Sequence, residues 1–160
     1  MGLSHVTLMN AEPKDIEFLY QVYASTRADE MALVDWTAEQ KEAFIRMQFN
    51  AQREHYQTHY PKASNQIIQQ EGVSIGRLIV ERSQDPLLLI DIALLPEYRR
   101  TGIGTTLIRD LMDEAARLNW SIILHVESFN PAMNLYNRLG FIKVAEQGIY
   151  HEMKWQPTAG

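Results

Sequence analysis

The chain has 160 residues, 46% hydrophobic and 22% charged, which is enough for one packed core and too short for two. Its formal net charge of −5 argues against a general nucleic-acid binder, which needs a basic face, and is compatible with a cationic acceptor such as an amine. With no cysteine, disulfides, cysteine-ligated metals and a cysteine nucleophile are excluded, and no apolar run reaches membrane-spanning length.

No signal-peptide pattern opens the chain, and Val6 stands where N-myristoylation wants Ser or Thr. A cytoplasmic protein with no membrane association is expected, forming a single domain over residues 1–160.

Leu3–Met9 alternates weakly and reads as an opening strand. Pro13 and Asp15 start a helix whose Ile16, Leu19, Tyr20 and Tyr23 share one face. Ser25–Trp36 reads as a loop or broken helix. Thr37 and Gln40 have capping-box spacing and open a second helix, which carries Phe44, Met47, Ala51 and Tyr56 and stops before Pro61. Asn65–Gln70 and Val73–Arg82 form a predicted hairpin around Glu71-Gly72, with a kink expected at Gly76. Asp85-Pro86 turns the chain into Leu87–Leu95, a nearly continuous apolar run typical of a strand buried on both faces.

The helix after Gly104 should turn Leu107, Ile108, Leu111, Ala115 and Leu118 inward. With the strand Ser121–Glu127 it completes a strand–helix–strand unit whose strands should be parallel. Pro131–Leu139 is a short predicted helix capped by Asn130 and Gly140, and Phe141–Gln147 with Ile149–Trp155 makes a terminal hairpin. The element order describes one mixed sheet with helices on both faces, free of internal repeats and interdomain linkers.

Residues 87–118 are the most informative stretch: an apolar strand, a turn with two arginines and two glycines, then an amphipathic helix. A glycine-bearing turn entering a helix offers free backbone N–H groups and the positive end of a helix dipole to an anion, usually a phosphate. Arg99 and Arg100 add fixed charge beside it. No P-loop is present, because no glycine is followed by Lys-Ser or Lys-Thr. The third glycine of a dinucleotide fingerprint is replaced by Leu107, which counts against a nucleotide-binding domain.

What remains, Arg-x-x-Gly-x-Gly from Arg99 to Gly104, resembles the pyrophosphate-binding motif of the GNAT superfamily of N-acetyltransferases. Downstream, Asn130–Phe141 (NPAMNLYNRLGF) is similar to the superfamily's Asn-Pro-Ala…Leu-Tyr…Gly-Phe segment. The two stand in register over residues 87–141, about a third of the chain, and the element order agrees.

The resemblance implies an acyl-CoA N-acyltransferase (GNAT) fold of the α/β (mixed α+β) class, its central sheet mixed and mostly antiparallel. It implies acetyl-CoA as acetyl donor, coenzyme A as product and an amine acceptor, with a homodimer left open. By the same resemblance the backbone of Arg99, Arg100, Thr101, Gly102, Ile103, Gly104 and Thr105 cradles the pyrophosphate, and the strand around Ile92, Ala93 and Leu94 pairs with the pantetheine arm. An N–H near Leu94 would serve the oxyanion. Many family members have Gly where Arg100 stands. Tyr136 becomes the candidate general acid, although its helical spacing with Ala132, Leu135 and Leu139 also suits a core tyrosine. Asn130 can cap its helix and meet the pantetheine; Arg138 can meet an adenosine phosphate or face solvent.

Asp91 interrupts the apolar run LLLIDIALL, and a carboxylate there needs a reason. It can take the amine proton through water, hold a cationic acceptor, or be hydrogen-bonded structurally; His125 and Glu127 are weaker candidates for the base. Arg27, Glu30 and Trp36, with Asp35 and Tyr56, are candidates for the acceptor pocket, against the alternative that Arg27 and Glu30 form a surface helical pair. His5, His55, His59 and His151 show no metal-ligand spacing. The expected activity is acetyl transfer to an amine by direct attack in a ternary complex; the alternative is a non-catalytic acyl-CoA-binding or sensor domain on the same fold.

Overall fold

The computed structural model describes residues 5–158. Among these residues seven strands form one sheet: β1 (Val6–Asn10), β2 (Ser64–Gln70), β3 (Val73–Glu81), β4 (Leu87–Leu94), β5 (Ile122–Glu127), β6 (Ile142–Gln147) and β7 (Tyr150–Trp155), in the order β1-β2-β3-β4-β5-β7-β6. The α-helices are α1 (Ile16–Ala32), α2 (Ala38–His59), α3 (Ile103–Leu118) and α4 (Ala132–Arg138). The sheet is mostly antiparallel, and β4 and β5 pair parallel, as expected of the strand–helix–strand unit. The first residues of the expected opening strand, Leu3 and Ser4, lie outside the described residues. The chain divides into two compact units, Met1–Leu78 with Ile92–Arg99 and Ile79–Asp91 with Arg100–Gly160.

In the first unit, α1 continues through the segment read as a loop and ends at Ala32. The hydroxyls of Ser25 and Thr26 donate to the carbonyls of Val22 and Tyr23 at 2.7 and 2.6 Å, so both polar groups are satisfied within the helix. The capping box that opens α2 forms in both directions: Gln40 N–H donates to Thr37 Oγ1 at 3.1 Å, and Thr37 N–H to Gln40 Oε1 at 2.9 Å.

The inward face of α2 differs from the expectation. Ile45 and Phe49 are buried, whereas Met47 is 60% exposed and Ala51 also faces out. Gln48 and Gln52 sit on the same seam and disguise it in the sequence; Gln52 Oε1 accepts from the buried Arg77. Phe49 meets Tyr20 edge-on at 5.6 Å within a core that includes Leu19, Tyr23 and Ile67. Burying each large apolar side chain contributes about 1.5–3 kcal/mol.

In the second unit, Leu87 and Leu89 are buried on one face of β4 while Leu88 and Ile90 are half-buried on the other, so the apolar run is fully covered on one side only. Along α3, Ile103, Leu107, Ile108, Leu111 and Ala115 form the buried stripe. Leu118, expected inward, is 48% exposed, because the chain leaves the helix at Asn119 in the left-handed conformation (φ 58°). At the sheet edge, β6 is exposed along its whole length and carries a register irregularity between Lys143 and Ala145, a feature that blunts an edge strand against further pairing.

Candidate active site

The end of β4 is shaped by a missing side chain on β3. A Cβ on Gly76 would lie 2.2 Å from the Ala93 carbonyl oxygen, so only glycine permits this approach. With the Ala93 carbonyl facing Gly76, the N–H of the same trans peptide, that of Leu94, points away from β3. The next peptide is fixed too: Leu95 N–H donates to Ile75 O at 2.8 Å, which sends the Leu94 carbonyl away from β3 as well. That carbonyl accepts from Arg99 Nε at 2.9 Å, and Arg99 Nη2 reaches Ser25 Oγ at 3.2 Å and Ser25 O at 3.4 Å. The Arg99 side chain therefore serves β4 and α1, leaving its backbone to the turn that follows.

That turn enters α3 through Gly102, whose φ of 89° is left-handed. The first α-helical bond runs from Thr106 N–H to Gly102 O at 3.0 Å. The N–H groups of Ile103, Gly104 and Thr105 precede it, have no carbonyl four residues back within the helix, and sit at the positive end of the dipole. A Cβ on Gly104 would meet nothing within 4 Å, so the space beside these amides is open. Arg100 is also left-handed, at φ 61°, a conformation that favours glycine over a side-chain-bearing residue.

Strand alternation puts Asp91 on the face of Leu87 and Leu89, which pair with Ile122 and Leu124 of β5. Tyr136 of α4 is 7% exposed and lies within the field of Asp91. Burial first, then the negative charge of Asp91, pushes its phenol up to about 12 from 10. The structure thus associates the two catalytic candidates and separates the weaker ones from them. His125 and Glu127 alternate onto the opposite face of β5, where His125 Nε2 lies 3.2 Å from Glu152 Oε1. His151 shares the face of Val126; its Nδ1 is buried without a hydrogen-bond partner and its Nε2 is 3.8 Å from Glu146.

The phenol has a consequence for stability against pH. Its folded pKa lies above its unfolded value, so its contribution is complete below pH 10 and is lost as pH rises toward about 12. The parent protein is expected to lose about 2–3 kcal/mol through this group across that window. Denaturant melts at several alkaline pH values, compared with Tyr136→Phe, check it: the parent should lose stability relative to the variant through the window.

Pro131, not Asn130, occupies the N-cap position of α4; Asn130 stands one residue before it, its Oδ1 accepting from Ala132 N–H at 2.9 Å, and Arg138 is exposed in the last turn. In the first unit, Arg27 and Glu30 form an i,i+3 ion pair at 2.9 Å, with Arg27 Nε also 3.3 Å from the Tyr23 hydroxyl. Trp36 is 43% exposed and meets Phe44 edge-on at 5.3 Å; Asp35 is exposed and Tyr56 half-buried. Ser25 had no signal in the sequence, since its link to Arg99 joins distant segments. Gly76 had one, a glycine inside a strand. No cluster of three or more His, Asp or Glu residues able to hold a metal occurs among the described residues.

A sequence model of the Acetyltransferase (GNAT) family matches residues 25–141. A curated N-alpha-acetyltransferase from Sulfurisphaera tokodaii is 39% identical over 59 residues, a match that covers 35% of this chain and 35% of that protein. The chain therefore spans about a third of the length of that relative. The structure resembles that of the PaiA N-acetyltransferase from Thermoplasma acidophilum in complex with coenzyme A (TM-score 0.71, 18% identity, 94% of this chain and 98% of that one). It also resembles spermidine N-acetyltransferase from Vibrio cholerae in complex with coenzyme A and spermine (TM-score 0.63, 21% identity, 96% of each chain). At these identities the structural likenesses establish the fold. The family match takes in most of the chain, including the Arg99–Gly104 turn and the α4 segment through Phe141, and on that match the chain belongs to the GNAT family of acetyltransferases.

Proposed function

We propose that this protein acts as a single domain that moves the acetyl group of acetyl-coenzyme A to a primary amine of a small molecule or protein, by direct attack in a ternary complex. The observation that carries the proposal is the Arg99–Thr105 turn. Its amides at the start of α3 are unused by the helix, and the space at Gly104 is open, as close approach of a pyrophosphate requires. Similar proteins include an N-alpha-acetyltransferase and a spermidine N-acetyltransferase crystallised with spermine, and amine acceptors of this kind support the reading.

Acetyl-coenzyme A supplies the activated acetyl thioester. The Ile103, Gly104 and Thr105 amides hold its pyrophosphate, and the Ile92–Leu94 edge takes the pantetheine. Leu94 N–H, turned away from β3, donates to the oxyanion that develops on the acetyl carbonyl. Tyr136 keeps its proton at neutral pH and donates a hydrogen bond to the departing sulfur. Its phenol, at about 12, lies roughly three to four pH units above a free thiol, so it keeps its proton even against a full thiolate and stabilises the departing sulfur as a hydrogen-bond donor, the thiolate taking its proton from water. Asp91, on the same face, receives the amine proton through water. A non-catalytic acyl-CoA-binding domain would need neither group, and a buried phenol within the field of a carboxylate supports the enzyme reading.

Coenzyme A should raise the melting temperature in a concentration-dependent way, because the folded site binds it and the unfolded chain does not. At a hundredfold excess over Kd the stabilisation is about 2.7 kcal/mol, or about 5–10 °C for a chain of this size. ATP and NAD, which lack the pantetheine arm, should shift it much less. An equal or larger shift with NAD would overturn the coenzyme A assignment.

A further inference from the structure

We infer that Arg99 is a positioning residue whose guanidinium straps the end of β4 to α1, fixing the Leu94 peptide, and is not a phosphate ligand. The inference rests on the proposed role of the Leu94 N–H and deepens it. Two ladder groups of Leu94 point away from β3, its N–H and its C=O. Arg99 Nε takes the carbonyl at 2.9 Å and leaves the N–H to a ligand.

The far side of the guanidinium is anchored equally specifically. The Ser25 hydroxyl donates to Val22 O at 2.7 Å, which turns its lone pairs outward, and Arg99 Nη2 meets that oxygen at 3.2 Å. The same nitrogen lies 3.4 Å from the Ser25 carbonyl. One planar fork thus spans a strand end and a helix, which a lysine ammonium on its flexible stem cannot do. Gly76 and Arg99 act on adjacent peptides that meet at Leu94: the absent Cβ lets the peptide carrying the Leu94 N–H settle against β3, and the strap stops the next carbonyl from turning. A pinned donor needs no rearrangement when charge develops on its acceptor, and that preorganisation is what an oxyanion site requires.

The test uses Arg99→Met, Arg99→Lys and Ser25→Ala in the full chain, with three readouts. These are amide exchange at Leu95 by NMR without ligand, coenzyme A affinity by calorimetry, and thiol release from acetyl-coenzyme A with an amine panel. The Leu95 N–H belongs to the strapped peptide and is bonded to Ile75 O at 2.8 Å, so its exchange reads the opening of that peptide. Arg99→Met is expected to speed Leu95 exchange by about tenfold or more and to lower kcat at least about tenfold, with coenzyme A Kd changed less than about threefold. Arg99→Lys should behave similarly, and Ser25→Ala should change exchange and kcat in the same direction by about threefold. A tenfold loss of coenzyme A affinity with unchanged Leu95 exchange would make the guanidinium a phosphate ligand and overturn the inference. Parental behaviour of Arg99→Lys, or unchanged Leu95 exchange in Ser25→Ala, would overturn it as well. If Arg99→Met does not fold, those two variants decide. Failure of the parent protein to bind coenzyme A would instead remove the proposed function, while Leu95 exchange would still report on the strap.

Discussion

Gly104→Glu is expected to weaken coenzyme A binding by more than about tenfold, over about 1.4 kcal/mol, while the protein remains folded. A Cβ at this position meets nothing within 4 Å, so the protein itself offers no obstacle to a side chain. The obstacle arises only when a pyrophosphate must reach the amides of Ile103, Gly104 and Thr105: a glutamate fills that approach and adds a like charge. Its effect on the empty protein has the opposite sign. Gly104 lies in the first turn of α3, where an acidic residue complements the dipole and a glycine costs roughly 0.5–1 kcal/mol against a better helix former. The variant should therefore melt at or above the parent temperature without ligand and lose most of the shift that coenzyme A produces. Calorimetric titration of the folded variant showing parental affinity would sink the assignment of this turn.

The parts of this site that could be read in the sequence are those written in adjacent residues. The Thr37–Gln40 capping box, the left-handed Gly102 entry into α3 and the Asn130 contact with Ala132 N–H each depend on groups close together in the chain, so spacing alone carries the information. The parallel pairing of β4 and β5 followed from a rule about crossovers. The misread parts depend on partners far along the chain. Ser25 and Thr26 look like helix breakers until their hydroxyls are seen to bond within the helix. The seam of α2 includes Gln48 and Gln52, and Gln52 makes sense there only because Arg77 of β3 arrives beneath it.

Arg99 is the sharpest case. Its residue type fits the motif, yet its guanidinium is directed by a helix of the first unit that the motif does not contain. Similarly, nothing in the strand SIILHVE distinguishes His125 from Asp91 as a base. The pairing register places the two on opposite faces of the sheet.

Tyr136→Phe is expected to lower kcat by roughly 10²-fold, with little change in coenzyme A affinity. Phenylalanine keeps the ring that packs against Phe141 at 5.8 Å and removes only the hydroxyl, so core packing is retained. The measurement is steady-state thiol release with an amine identified from a panel, normalised to folded protein by a melt. The pH dependence separates catalysis from packing. If Tyr136 donates to sulfur, the parent should lose activity at alkaline pH as the phenol ionises, and the variant should lack that limb. Asp91→Asn supplies an independent check on the pair. The Asp91 charge is one of the two causes that raise the phenol, so its removal should move the alkaline limb to lower pH while burial keeps the phenol above its ordinary 10. Turnover per folded molecule unchanged in Tyr136→Phe, together with a parental alkaline limb, would make the hydroxyl a core feature and leave the departing sulfur to another donor.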